Sequence, residues 1–269
     1  MPITRATYVY CLVAAGRRPV IRRPRTGVPG AGALRLLALD AAPPGAAVPG
    51  RLKRWLVVAD VPLPQYGEAA VNARLNDLDW VSRAAVAHEH VVESFRAGDA
   101  LLPMKLFTIF ASDERAVSDL RGRRRQIERV LRRVMHHDEW GVRVVLNRDG
   151  APAGKAGSVS RRAGASGTDY LARKKAARDR VAELAARSRE VTAEVFDALA
   201  ARSTDARRRS AADLPAGGGT LLLDSAFLVP RAGAARFRAA AGREARALAR
   251  DGYQLTLTGP WPAYSFMQD

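Results

Sequence analysis

Residues 76–110, NDLDWVSRAAVAHEHVVESFRAGDALLPMKLFTIF, decide the fold. Asn76 or Asp77 can cap a helix, because a short polar side chain accepts hydrogen bonds from free backbone N–H groups. Val81, Ala84, Ala85, His88, Val91, Val92 and Phe95 then recur at three- and four-residue steps, which makes one apolar face of a helix over residues 76–97. Gly98 ends it. Residues 101–110 follow as a continuous apolar run of strand length, opened by Leu102-Pro103.

The alternation continues on both sides. Downstream, Ser112 can cap a second helix, with Asp113 and Glu114 in its first turn. Its apolar stripe is Val117, Leu120, Ile127, Val130, Leu131 and Val134, and arginines cover the outside. Residues 140–146 read as a strand, and Asn147-Arg148-Asp149-Gly150 turns the chain. Upstream, residues 7–13, rich in β-branched and aromatic side chains, predict a buried first strand rather than an export signal. Residues 34–39 and 55–61 are short strands separated by Pro43-Pro44-Gly45, whereas residues 16–32, with five arginines and three prolines, form a loop.

Residues 151–166 are small, polar and glycine-rich and read as a linker. Beyond it the spacing predicts a long helix over 169–202, a basic flexible stretch over 203–219, a strand over 220–229, a helix over 232–250 and a last strand over 254–258. Gly259-Pro260-Trp261-Pro262 cannot be helical. The expected architecture is α+β in two domains. Residues 1–150 form a ferredoxin-like, split-βαβ sandwich, and residues 167–269 form an α+β domain with a long helix and a small sheet.

Composition narrows the function classes. The chain has 269 residues, a formal net charge of +17, 48% hydrophobic residues and 6% aromatics. That charge attracts acidic partners, although an arginine-rich, GC-biased composition produces it as well. Cys11 is the single cysteine, so an intrachain disulfide and a CxxC metal site are both excluded and a reducing cytosol is expected. No apolar run reaches the roughly 18 residues of a membrane span.

Catalytic constellations are sparse. His88-Glu89-His90 with Glu93 is the one histidine–carboxylate cluster, but two histidines two residues apart point to different helix faces and cannot share a zinc ion. His88 reads as a packed, hydrogen-bonded histidine, and Glu89 and Glu93 lie one turn apart on a partly exposed edge. His136-His137-Asp138 reads as a helix end. There is no nucleophile elbow and no P-loop, and Gly217-Gly218-Gly219 leads into a strand rather than a phosphate-binding helix. No metal or cofactor is expected. A basic, RRM-like nucleic-acid-binding module is the alternative reading, yet neither 101–110 nor 140–146 carries the aromatic stacking pattern of that fold.

The tail, Leu257-Thr258-Gly259-Pro260-Trp261-Pro262-Ala263-Tyr264-Ser265-Phe266, resembles the closing motif of the gas vesicle protein F/L family, which usually has a second proline at Ala263. Further matches occur in order: Tyr8-Val9-Tyr10; His88-Glu89 with Val91-Val92-Glu93; Leu101-Leu102-Pro103-Met104-Lys105; residues 139–144; and Gly167 with Tyr170-Leu171 and Lys174-Lys175. The family tends to have arginine at Lys105 and Phe-Gly at Leu106-Phe107. That difference puts a tight glycine turn there in question.

The resemblance implies no enzyme and no cofactor. It implies an assembly factor or minor component in the cytoplasm and at the gas vesicle. Its partners would be the small hydrophobic shell protein and other accessory proteins, with no nucleic acid and no membrane. Candidate partner contacts are Trp261, Tyr264 and Phe266, with Tyr253 and Leu255 of the last strand, and Glu89 and Glu93. For Trp261 and Tyr264, packing of the tail onto its own domain is the favoured reading.

Overall fold

The computed structural model describes residues 5–21, 27–40, 52–147, 167–209 and 219–267. The chain divides into two compact units, Met1–Asp138 with Trp261–Asp269, and Glu139–Pro260. This differs from a boundary at 150: residues 139–147 belong to the second unit, and the tail belongs to the first. The expected linker, 151–166, lies outside the described residues.

The first unit is built on β1 (Arg5–Ala15), β2 (Arg35–Ala38) and β3 (Lys53–Pro62). Two short helices, α1 (Leu63–Tyr66) and α2 (Glu68–Arg74), lead to α3 (Leu78–Ser94). Asp77 caps α3 by accepting from the Trp80 N–H at 3.0 Å. Trp80, Ala84, His88, Val91 and Val92 form the buried face of α3. The sheet order is β2-β3-β1-β4, where β4 is Ala100–Pro103, and β1 runs antiparallel to both of its neighbours. Strands β3 and β4 therefore flank β1 and are joined through α3, which is the split-βαβ arrangement.

Residues 101–110 are not one strand. They divide into β4 and β5 (Ile109–Phe110), which pairs with β1 at Thr7 and Tyr8. Between them Phe107 adopts φ 62°, the left-handed region that a non-glycine residue rarely occupies. So the tight turn put in question at Leu106-Phe107 does form, and without glycine. Phe107 stacks on Trp80 with ring centroids 5.0 Å apart, and its N–H donates to the Tyr8 hydroxyl at 3.1 Å. The helix expected over 112–134 is also two, α4 (Asp113–Gly122) and α5 (Arg124–Val134), because the chain leaves helical geometry at Arg123. Arg35 ties β2 to Asp60 of β3 and to Asp113 of α4, and Thr7 donates to Asp113 at 2.7 Å.

Strand β1 carries a bulge between Val9 and Cys11. Tyr10 is the extra residue there and resets the two-residue alternation, so Tyr8 before it, Tyr10 itself, and Cys11 and Val13 after it all face one core.

The second unit contains β6 (His137–Asn147) from Glu139 onward, α6 (Gly167–Ala200), β7 (Asp205–Arg208), β8 (Gly219–Pro230), α7 (Ala234–Ala249) and β9 (Tyr253–Trp261) as far as Pro260. The sheet order is β7-β8-β6-β9. This βαββαβ succession with that order is the complete ferredoxin-like topology. The strand expected to finish the first sheet, 140–146, thus belongs here, because Trp140, Val142 and Val144 pack with Leu223, Phe227 and Phe237. Strand β7 lies inside the stretch expected to be flexible; its residues pair antiparallel with β8, Asp205 opposite Leu228 and Arg208 opposite Ser225. Residues 210–218 of that stretch lie outside the described residues. Ser188, Thr192, Val195 and Leu199 are the buried face of α6.

The turn at Phe107 has a direct test. Phe107→Ala keeps the backbone penalty and loses the stacking, whereas Phe107→Gly loses both. Gly should therefore be more stable than Ala by about 1 kcal/mol in a denaturant titration. Equal stabilities would remove the left-handed turn.

Candidate functional site

Three sequence segments that are far apart along the chain meet in the first unit. They are the middle of α3, the residues just after β4, and the tail. Ala85, His88 and Glu89 contribute one wall of a cleft, residues 103–106 a second, and Tyr264 and Met267 a third. The cleft measures about 390 Å³. Its surface is mostly apolar, with two methionines, a proline and a leucine, and Glu89 is its one acidic group.

A chain of hydrogen bonds sets the floor. The Phe107 N–H donates to the Tyr8 hydroxyl, so the Tyr8 proton is directed to His88 Nδ1, 2.9 Å away. His88 then carries its own proton on Nε2, which is buried near the Met104 backbone and makes no hydrogen bond of good geometry among the described residues. Burial pushes the His88 pKa down to about 4, so the ring is neutral at physiological pH. Tyr10 packs beside it, with ring centroids 5.5 Å apart, and its hydroxyl accepts from the Val28 N–H at 3.0 Å. This agrees with reading His88 as a packed histidine hydrogen-bonded through Nδ1, while its buried Nε2 has no hydrogen-bond partner among the described residues.

Glu89 is held differently. The Tyr264 hydroxyl donates to Oε2, while Oε1 is buried and has no hydrogen-bond partner among the described residues. Burial raises the Glu89 pKa, the Tyr264 hydrogen bond opposes that, and the Glu93 charge one turn away adds to it. Tyr264 is itself raised, by burial first and by Glu89 second. Cys11 is fully buried beside Glu89, and its thiol is raised out of the reactive range.

The candidate partner contacts divide into three groups. Glu89 and Tyr264 are bonded to each other, with half-buried Glu93 alongside. Trp261 and Tyr264 are each 39% exposed. Phe266 is fully buried, with the Arg133 guanidinium 5.9 Å from its ring centroid, and Tyr253 is buried and Leu255 half-buried in the core of the second unit. Burial makes Phe266 and Tyr253 core residues rather than surface contacts. The residue-by-residue reading missed Ala85, Met104 and Met267 as cleft residues, although Met104 stands in one of the motifs. Among the described residues, no group of three His, Cys, Asp or Glu side chains could hold a metal ion, and no helix is long and apolar enough to cross a membrane.

Residues 6–268 match the family model described as gas vesicle synthesis protein GvpL/GvpF. A relative named gas vesicle protein L, from Streptomyces sp. (strain CB03234), is 31% identical over 220 residues, covering 78% of each chain. The crystal structure of GvpF from Anabaena sp. PCC7120 superposes with a TM-score of 0.65 at 13% identity, covering 99% of this chain and 97% of that one. GvpF from Microcystis aeruginosa gives 0.64 at 12% identity, covering 98% and 99%.

Two measurements test the site. An unfolded histidine titrates near 6.5 and the folded one near 4, so the unfolded chain binds the proton first. His88 should therefore cost stability as pH falls from about 6.5 to 4, by roughly 2–3 kcal/mol in all. His88→Asn, which can still accept from Tyr8, should lose that part of the slope in chemical denaturation across this range; an unchanged slope would refute the buried neutral ring. In the tail, Phe266→Ala should cost about 3–5 kcal/mol, whereas Trp261→Ala should cost no more than about 1 kcal/mol. Thermal unfolding reads both, and the reverse ranking would contradict the assignment of Phe266 as the anchor.

Proposed function

Because the chain belongs to the GvpL/GvpF family of gas vesicle synthesis proteins, we propose that it assists gas vesicle assembly by holding the small hydrophobic shell protein. In this reading it limits aggregation of that protein, promotes vesicle nucleation and catalyses no reaction. It works in the cytoplasm and at the vesicle, alongside other accessory proteins. The observation that carries the proposal is the convergence of the His88-Glu89, Pro103-Met104-Lys105 and Tyr264 motif segments on one apolar cleft.

A polypeptide with a gas-facing apolar surface is an aggregation hazard before it assembles. The cleft offers that surface somewhere to go. Its volume suits a few side chains of an apolar segment, and Met104 and Met267 adapt their shape to what they touch. Glu89 can orient the segment by accepting a hydrogen bond, the usual division between apolar area and a few polar groups.

Co-expression with a shell protein in a host without gas vesicle genes tests this. The wild type should keep the shell protein soluble and co-purify with it. Met104→Asp combined with Ala85→Arg should abolish both effects while leaving the circular dichroism spectrum unchanged. If the wild type neither retains nor solubilises the shell protein, the proposal fails; if the double variant retains it, the cleft is not the contact.

A further inference from the structure

Helix α6 has two halves of different character. From Ser188 onward, Ser188, Thr192, Val195 and Leu199 are buried and seat the helix on the second unit's core. Over residues 173–187, every residue is exposed. This half extends for about 22 Å, at about 1.5 Å per residue.

The exposed half is not featureless. At about 100° per residue, Ala177, Val181 and Leu184 continue the line of Ser188, Thr192, Val195 and Leu199. The core-facing stripe thus runs on past the end of the core, with Val181 69% and Leu184 39% exposed. Cations border it: Lys174 and Arg178 on one side, Arg180 on the other. Asp179 and Glu183, the acids of this half, fall on the opposite face. Residues 173–187 hold six basic and two acidic side chains.

We propose that this half of α6 docks an acidic amphipathic helix of a partner protein. The stripe takes the partner's apolar residues, and the bordering cations pair with acids that flank them, as in helix-on-helix recognition with charged edges. A second copy of this chain fits poorly, because two such helices side by side would oppose cation to cation. A bare polyanion fits poorly as well, since it leaves Val181 and Leu184 in water.

The test uses the full chain and a labelled synthetic helix of glutamate, alanine and leucine with one leucine stripe. A scrambled peptide of identical composition is the control, and fluorescence anisotropy at physiological salt is the readout. The amphipathic peptide should bind saturably, at least about tenfold tighter than the scrambled one. Val181→Ser with Leu184→Ser should remove that preference, and Lys174→Gln with Arg178→Gln and Arg180→Gln should weaken binding of both peptides. Far-UV circular dichroism checks that each variant stays helical. Equal affinity for the two peptides would overturn the proposal in favour of simple polyanion attraction. Absence of binding would overturn it, and so would a wild-type dimer that the serine variant dissolves.

Discussion

The hydrogen bond from Tyr8 to His88 joins residues 80 positions apart, and the first unit is organised around it. Tyr8 lies in the central strand, His88 in the crossing helix, and the Phe107 N–H completes the chain from the turn after β4. Buried polar groups are costly unless paired, so these three elements are committed to one arrangement. The neutral ring follows from the same burial, because a charged imidazolium would need water or an anion that the core does not supply. The bulge in β1 serves this arrangement. It lets Tyr8 and Tyr10 reach His88 while Cys11 and Val13 still face the same core.

The cleft sits directly over this rigid floor. A binding surface gains from fixed walls, since less motion is lost when a partner arrives. Its adaptable members are Met104 and Met267, and its acidic anchor is Glu89, positioned by Tyr264. In a chain with a net charge of +17, an acid at the edge of an apolar cleft stands apart from the prevailing sign. Long-range attraction and short-range fit can thus be set by different residues: the arginines by their abundance, the cleft by its shape.

Much of this was legible in the sequence, and the exceptions share a cause. Helix α3 and its Asp77 cap follow from local rules, as do the 3.6-residue periodicity of its buried face and the packed state of His88. What local rules could not supply was partnership. Residues 101–110 look like one strand because all but Lys105 and Thr108 are apolar, yet Phe107 turns against Trp80, a contact made across 27 positions. Arg123 carries no sequence signal strong enough to split 112–134 into two helices. Residues 205–208, Asp-Ala-Arg-Arg, carry no strand pattern of their own, and become a strand because β8 offers an edge. Residues 140–146 read as a strand and form one, but the sheet they join is decided by Phe227 and Phe237, far downstream. In the cleft, the tail motif and the His88-Glu89 motif were visible separately; the Tyr264–Glu89 bond that unites them spans 175 positions.

The return of the tail to the first unit bears on the order of biosynthesis. Residues 139–260 intervene, so the first unit cannot be finished when its own helices and strands leave the ribosome. Until Phe266 arrives, its seat near Arg133 is empty and one side of the cleft is missing. The surface that would grip an apolar client is therefore completed after the whole second unit has been translated. A nascent chain, still tethered and incomplete, has only a partial grip to offer the client.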